Sequence, residues 1–145
     1  MSSLTIHVDG ACSGNPGPAA IGVVIDKDGE RIEEISRAIG HATNNVAEYS
    51  ALICGLQEAL VRKAKGVKVI TDSELMFHQL NGNYKVKDEK IKLLFEQVQR
   101  LRRGFKDFEL THVPREKNKV ADKLATEALK PAILRKQNPP AGPTD

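Results

Sequence analysis

The amino-acid sequence predicts an α/β domain, a mixed β-sheet with helices packed on it. Period-two alternation of apolar and polar residues runs through the first forty residues. Helical stripes dominate after residue 41, and short apolar runs stand between them. The predicted order is βββ-α-β-α-α-β-α, an antiparallel meander feeding a parallel extension through helical crossovers.

Residues 4–9 alternate, with Leu4, Ile6 and Val8 on one side and Thr5, His7 and Asp9 on the other. Residues 19–25 form a near-continuous apolar run, the mark of a buried strand. Asp28-Gly29 is a hairpin signal, and alternation resumes over 31–39. The segment 41–66 predicts a long helix. Thr43 or Asn44 caps it, Val46, Tyr49, Ile53, Leu56 and Leu60 form its stripe, and Gly66 ends it. Residues 67–71 predict a short strand, "DSELMFHQL" a short helix and "NGNY" a turn. Residues 87–103 predict a second long helix, 108–113 a last strand stopped by Pro114, and 118–129 a last helix. Residues 1–130 are expected to form one domain. Residues 131–145, with four prolines and little apolar content after Leu134, are expected to be a flexible tail.

The bulk numbers fit this outline. A chain of 145 residues with 40% apolar content can build a single core. The net charge of +3 is compatible with a polyanionic partner without requiring one. Trp is absent and aromatics make up 4%, which argues against a base-stacking platform of the single-strand-binding kind. Cys12 and Cys54 are far apart and outside any CxxC pattern, so free thiols in a cytoplasmic protein are expected, with no zinc site. The start lacks the charge and apolar core of a signal peptide, and no apolar run approaches bilayer-spanning length.

Two acids fall at predicted strand ends, Asp9 on the first and Asp72 on the fourth. If those strands are parallel neighbours, both carboxylates emerge on one sheet edge, where α/β sheets bind ligands. Asp72 alone also reads as a helix cap, since "TDSE" is a capping-box pattern. Glu48 lies on or beside the inward stripe of its helix, with Ala51, Leu52, Gly55 and Leu56 as neighbours and no local cation. An inward carboxylate needs a cation, either a remote Lys or Arg or a bound ion. Asp122 sits in the first turns of the last helix, where the helix dipole favours an acid. Four such acids in one place would repel one another unless divalent cations joined them, and an oxygen-only set without a Cys or His cluster points to Mg2+ or Mn2+.

"DGACSGNPG", "TNNVAEYSAL", "TDSEL" and "HVPREKNKVADKLA" together resemble, in order and spacing, the four motifs of type 1 ribonuclease H, over residues 4–129. The resemblance implies a five-stranded mixed sheet of order 3-2-1-4-5 with helices on both faces. It implies endonucleolytic cleavage of the RNA strand of RNA–DNA hybrids, with two Mg2+ or Mn2+ ions, leaving 5′-phosphate and 3′-hydroxyl ends. The catalytic and metal-ligating acids it implies are Asp9, Glu48, Asp72 and Asp122. Asp9 is the natural bridging ligand, Glu48 and Asp72 hold the ion nearer the leaving oxygen, and Asp122 holds the ion that activates water. Substrate contacts are implied at Gly14 and Asn15, at Thr43, Asn44 and Asn45, and at Ser73. The turn of Gly14 to Gly17 can approach a nucleotide closely and read the ribose 2′-hydroxyl.

The chain departs from the family pattern in places. Between Leu80 and Phe105 it has only a turn and one helix where many members carry a tryptophan-bearing basic protrusion, so it resembles the branch without one. The Lys and Arg residues there read more simply as a solvated face. Glu74 stands where many members have Gln, and His41 near a common Arg. The loop before Asp122 is short and lacks a His. Arg115, in that loop, is expected to assist catalysis in its place by binding phosphate, rather than His112 on the preceding strand. Pairing with Glu116 or solvent is the competing expectation for Arg115. The expected assembly is a monomer without membrane contact. A different metal-dependent nuclease of the same fold and a non-catalytic hybrid-binding module are the rival readings.

Overall fold

The computed structural model describes residues 3–137. Five strands and four α-helices follow one another: β1 (Ser3–Cys12), β2 (Gly17–Lys27), β3 (Glu30–Ala42), α1 (Asn44–Val61), β4 (Gly66–Thr71), α2 (Glu74–Leu80), α3 (Glu89–Arg102), β5 (Asp107–His112) and α4 (Lys119–Gln137). A 3-10 turn, Arg115–Lys117, precedes α4. The sheet order is β3-β2-β1-β4-β5. The β1–β2 and β2–β3 pairs are antiparallel, and β1–β4 and β4–β5 are parallel. This is the order that the resemblance implied.

The two faces are covered by different helices. Leu4, Ile6 and Val8 of β1 and Ile21, Val23 and Ile25 of β2 face α1, and α3 adds Ile91 and Val98 to the same core. Tyr49, Leu52 and Leu56 of α1 are fully buried there, and truncating such a leucine to alanine costs about 2–5 kcal/mol. On the other face Val24 meets Ala121 and Leu124 of α4. Burial from both sides explains why β2 reads as a continuous apolar run. Asp28 (φ 53°) and Gly29 (φ 80°) form the hairpin turn between β2 and β3.

Several boundaries differ from the sequence reading. The first strand runs beyond Asp9 to Cys12, because its pairing with β2 continues to Cys12↔Ala19 while its pairing with β4 stops at Val8↔Thr71. Helix α1 ends at Val61 instead of Gly66. Lys63 adopts a left-handed φ of 60° and the Ala64 amide bonds the Ala59 carbonyl, so the reversal is made by a lysine. Gly66 instead opens β4. The expected tail does not begin at 131, since α4 continues through Pro131 to Gln137. The residues after that proline, Ala-Ile-Leu-Arg-Lys-Gln, are mostly strong helix formers. The remaining prolines lie in 138–145, outside the described residues.

Candidate active site

The sheet register assembles the acids. Val8 of β1 lies opposite Thr71 of β4, so Asp9 and Asp72 follow as neighbours at the carboxyl ends of adjacent parallel strands, whose spacing is about 4.8 Å. Asp72 is not the cap of α2. The Ser73 hydroxyl accepts from the Met76 amide at 3.2 Å and takes that role.

Glu48 is brought in from α1. Gly10 has no side chain, and a Cβ there would stand 2.4 Å from the Ala47 carbonyl carbon and 2.5 Å from the Glu48 nitrogen. The helix backbone therefore lies directly on β1. This contact lets the Gly10 amide donate to Glu48 Oε1 at 2.7 Å. One carboxylate oxygen from each of Asp9, Glu48 and Asp72 lies within 4.8 Å of the others. Asp9 and Glu48 are buried and Asp72 half-buried.

Crowding and burial make these carboxyls reluctant to ionise. Burial first, then the charges of Glu48 and Asp72, push Asp9 up to about 10. Burial and Asp72 push Glu48 up to about 8, against the Gly10 amide and the positive charge of Arg115. Such a cluster wants positive charge, and its donors are all oxygen. That is the ligand chemistry of hard divalent cations and unlike that of zinc sites rich in Cys or His.

Asp122 stands at the rim. It lines the same open cleft of about 450 Å³, with Asp9, Glu48, Asp72, Asn44 and Arg115. It lies outside the group of three whose oxygens are all mutually within 4.8 Å, yet its carboxyl comes within hydrogen-bonding reach of Asp9 and helps to raise that group. Arg115 Nη2 lies 3.2 Å from Asp122 Oδ1, so its partner is this acid and not Glu116. His112 ends β5 exposed, against the Phe77 ring at 5.7 Å, and does not line the cleft.

Of the predicted substrate residues, Asn44 lines this cleft, and Gly14, Asn15, Thr43, Asn45 and Ser73 are not among its lining residues. Asn15 Oδ1 accepts from the Asn44 amide at 2.8 Å, which ties the turn containing Gly14 (φ 88°) to the start of α1. Thr43 caps α1, its hydroxyl accepting from the Val46 amide at 3.2 Å. Asn45 follows Asn44 and points its amide at Gln79. Ser73 adjoins Asp72.

Three contributors escaped sequence reading. The Gly10 amide holds Glu48, and its signal was only a glycine after the strand aspartate. Asn118 is buried and its Nδ2 donates to the Val8 carbonyl at 2.9 Å, tying the start of α4 to β1 one residue before Asp9. An asparagine before a helix suggests a cap, which hides such a bond. Gln79 is buried between α1 and α2, where its helical position gave no hint of a polar partner.

A family model described as reverse transcriptase-like matches residues 7–128. A bifunctional protein of Mycobacterium tuberculosis is 41% identical over 128 residues, covering 87% of this chain and 35% of that protein. The chain thus spans about a third of the length of the first curated relatives it matches. Among solved structures, RNase H1 from the archaeon Halobacterium salinarum has 41% identity and a TM-score of 0.87, covering 90% of this chain and 99% of that one. LC11-RNase H1, solved in complex with RNA/DNA hybrid, has 41% identity and a TM-score of 0.84 with the same coverage. With that match, that sheet order and acids gathered at the β1–β4 edge, the chain belongs to the type 1 ribonuclease H family.

Proposed function

We propose that the chain is a metal-dependent endonuclease that hydrolyses the RNA strand of RNA–DNA hybrids, leaving 5′-phosphate and 3′-hydroxyl ends. The observation that carries this reading is the convergence of Asp9, Glu48 and Asp72 within 4.8 Å in an open cleft. The hybrid in the LC11-RNase H1 complex supports the choice of substrate.

Asp9, Glu48 and Asp72, with Asp122 beside them, would hold two Mg2+ or Mn2+ ions. Bound together, such ions supply an activated water, charge relief on the phosphoryl oxygens and stabilisation of the leaving oxygen. The Gly10 amide keeps Glu48 turned into the cleft. Arg115 stays charged at any working pH, so it binds phosphate and does not carry protons. Its presence in the cleft lining and its bond to Asp122 support this role. The turn at Gly14 and Asn15, tied to the Asn44 amide beside the acids, would read the ribose 2′-hydroxyl together with Thr43, Asn45 and Ser73. Between α2 and α3 only residues 81–88 intervene, so grip on the hybrid depends on the cleft more than in members with a basic protrusion.

Cys12 and Cys54 are unpaired, in keeping with a reducing, cytoplasmic setting. Among the described residues no helix is long and apolar enough to cross a membrane. A monomer is part of the proposal, and gel filtration checks it.

The test is incubation of labelled RNA–DNA hybrid, duplex RNA, duplex DNA and a four-way junction with each metal in turn. The proposal expects cuts in the RNA of the hybrid with Mg2+ or Mn2+ and none with chelator. Binding without cutting under either metal would mean a hybrid-binding module instead, and preferred cutting of the junction a different nuclease.

A further inference from the structure

We infer that Gln79 is a positioning residue for Asn45, fixing the amide that the proposed function assigns to the hybrid. The inference rests on that assignment.

Asn45 sits in the first turn of α1, and Tyr49 lies one turn further along the same helix. Gln79 comes from α2 and is only 7% exposed. Its Oε1 accepts from the Tyr49 hydroxyl at 2.9 Å and from Asn45 Nδ2 at 3.4 Å. An amide oxygen has two lone pairs, so this acceptor is fully used. Tyr49 is wholly buried, and burial pushes its phenol well above the ordinary value, so it stays a neutral donor. The shared oxygen is thereby held in place from the core side.

The consequence falls on Asn45. With Nδ2 drawn toward Gln79, the two ends of the amide are no longer interchangeable. Its Oδ1 is buried without a partner among the described residues. A buried acceptor without a donor is costly, and native proteins keep one mainly where function uses it. Asn45 as a whole is only half-buried and adjoins Asn44 in the cleft wall. A nucleotide hydroxyl or amino group is a donor of the right kind to complete it. Glutamine at 79 thus decides which end of Asn45 is left for a ligand, without touching the ligand itself.

A double-mutant cycle on hybrid cleavage tests this, using Asn45→Ala, Gln79→Leu and the pair, at saturating Mg2+. Gln79→Leu should raise KM on the order of fivefold to tenfold, the scale of one lost hydrogen bond, with kcat nearly unchanged. In the Asn45→Ala background it should add little, because its effect passes through Asn45. Gln79→Glu keeps an oxygen acceptor and should restore KM. Tyr49→Phe removes the core-side anchor of Gln79 and should raise KM in the same direction, by less than Gln79→Leu. If Gln79→Leu fails to fold, Gln79→Met enters the same cycle.

A full KM effect of Gln79→Leu on top of Asn45→Ala, or a loss in kcat with no change in KM, overturns the inference while leaving the proposed function standing. An unchanged KM for Asn45→Ala removes the assignment of Asn45 to the substrate, and the inference with it. Absence of hybrid cleavage by the unmodified chain is the separate result that defeats the proposed function.

Discussion

Asp9→Asn is expected to stabilise the metal-free chain while abolishing cleavage. The Asp9 carboxyl is 4% exposed and faces Glu48 and Asp72. Burial and these charges move it from an ordinary 3.8 up to about 10. A carboxyl raised in the folded state holds a proton that the unfolded chain has released, so stability falls as pH rises through that window. The slope is about 1.4 kcal/mol per pH unit for one proton. From pH 4 to pH 7 that reaches about 4 kcal/mol as an upper bound, and since Glu48 shares the burden, roughly 2–4 kcal/mol is a fair expectation for Asp9. Asparagine keeps the shape and removes the charge. In a domain of this size about 2–4 °C of Tm accompanies each kcal/mol, so the variant should melt roughly 5–10 °C above the unmodified chain at pH 7 in chelator.

Calorimetry with and without Mg2+ at pH 5 and pH 7 measures this. The difference should shrink at pH 5, where the native carboxyl is more easily protonated at small cost. Mg2+ should raise the Tm of the unmodified chain more than that of the variant, because binding favours the folded state that holds the ligands. An unchanged or lower Tm for Asp9→Asn at pH 7 in chelator would refute the claim that the acids repel one another in the fold.

Further outcomes follow from the same geometry. Gly10→Ala puts a methyl group 2.4 Å from helix backbone, so it should cost about 1–3 kcal/mol by chemical denaturation and, by shifting Glu48, lower cleavage by about a hundredfold. Gly22→Ala meets the Ala121 carbonyl oxygen at 2.1 Å and should displace α4 with Asp122, with a similar loss of stability visible in thermal melts. Thr43→Ala should cost about 1 kcal/mol of stability through the lost cap of α1, again by denaturation. Arg115→Ala should reduce kcat with little change in Tm, since its guanidinium is exposed, while Arg115→Lys should recover only part, lacking the planar fork; an unchanged kcat for Arg115→Ala would remove it from the site.

What sequence made legible was whatever depends on local periodicity and on residue type. The strand alternation, the Asp28-Gly29 turn, the Thr43 cap and the identity of the acids are local properties. The inward place of Glu48 also followed from helical spacing alone. What could not be read was set by distant partners. Where β1 ends depends on which neighbour is counted, since β4 leaves it at Val8 and β2 follows it to Cys12. The end of α1 at Val61 hinges on Lys63 accepting a left-handed conformation, a choice usually made by glycine. Pro131 in α4 shows helix formers on both sides carrying the chain past a residue that normally stops it. The pairing of Arg115 with Asp122, and the approach of Asp122 to Asp9, are distances between elements and leave no mark on spacing.

The site is held together by contacts that do no chemistry. Three carboxyls within 4.8 Å of one another repel across the cleft. Something must hold them there against that repulsion, and it is backbone, since a flexible ion pair would yield. Gly10 permits α1 to rest on β1 and its amide clasps Glu48. Asn118 clasps the Val8 carbonyl and thereby sets α4 beside Asp9 from the opposite face. The two clamps attach to β1 on either side of Asp9, and both act through main-chain groups of β1 that pass no partner to β4 beyond Val8. This explains why the first strand is the natural meeting place. Among the described residues it is the one strand with a parallel neighbour on one side, an antiparallel neighbour on the other and a helix on each face. Loosening either clamp should therefore relieve repulsion while destroying function, so variants at Gly10 or Asn118 should lose cleavage faster than their loss of stability predicts. Proportional losses of the two across a series of such variants would mean that the clamps serve only the fold.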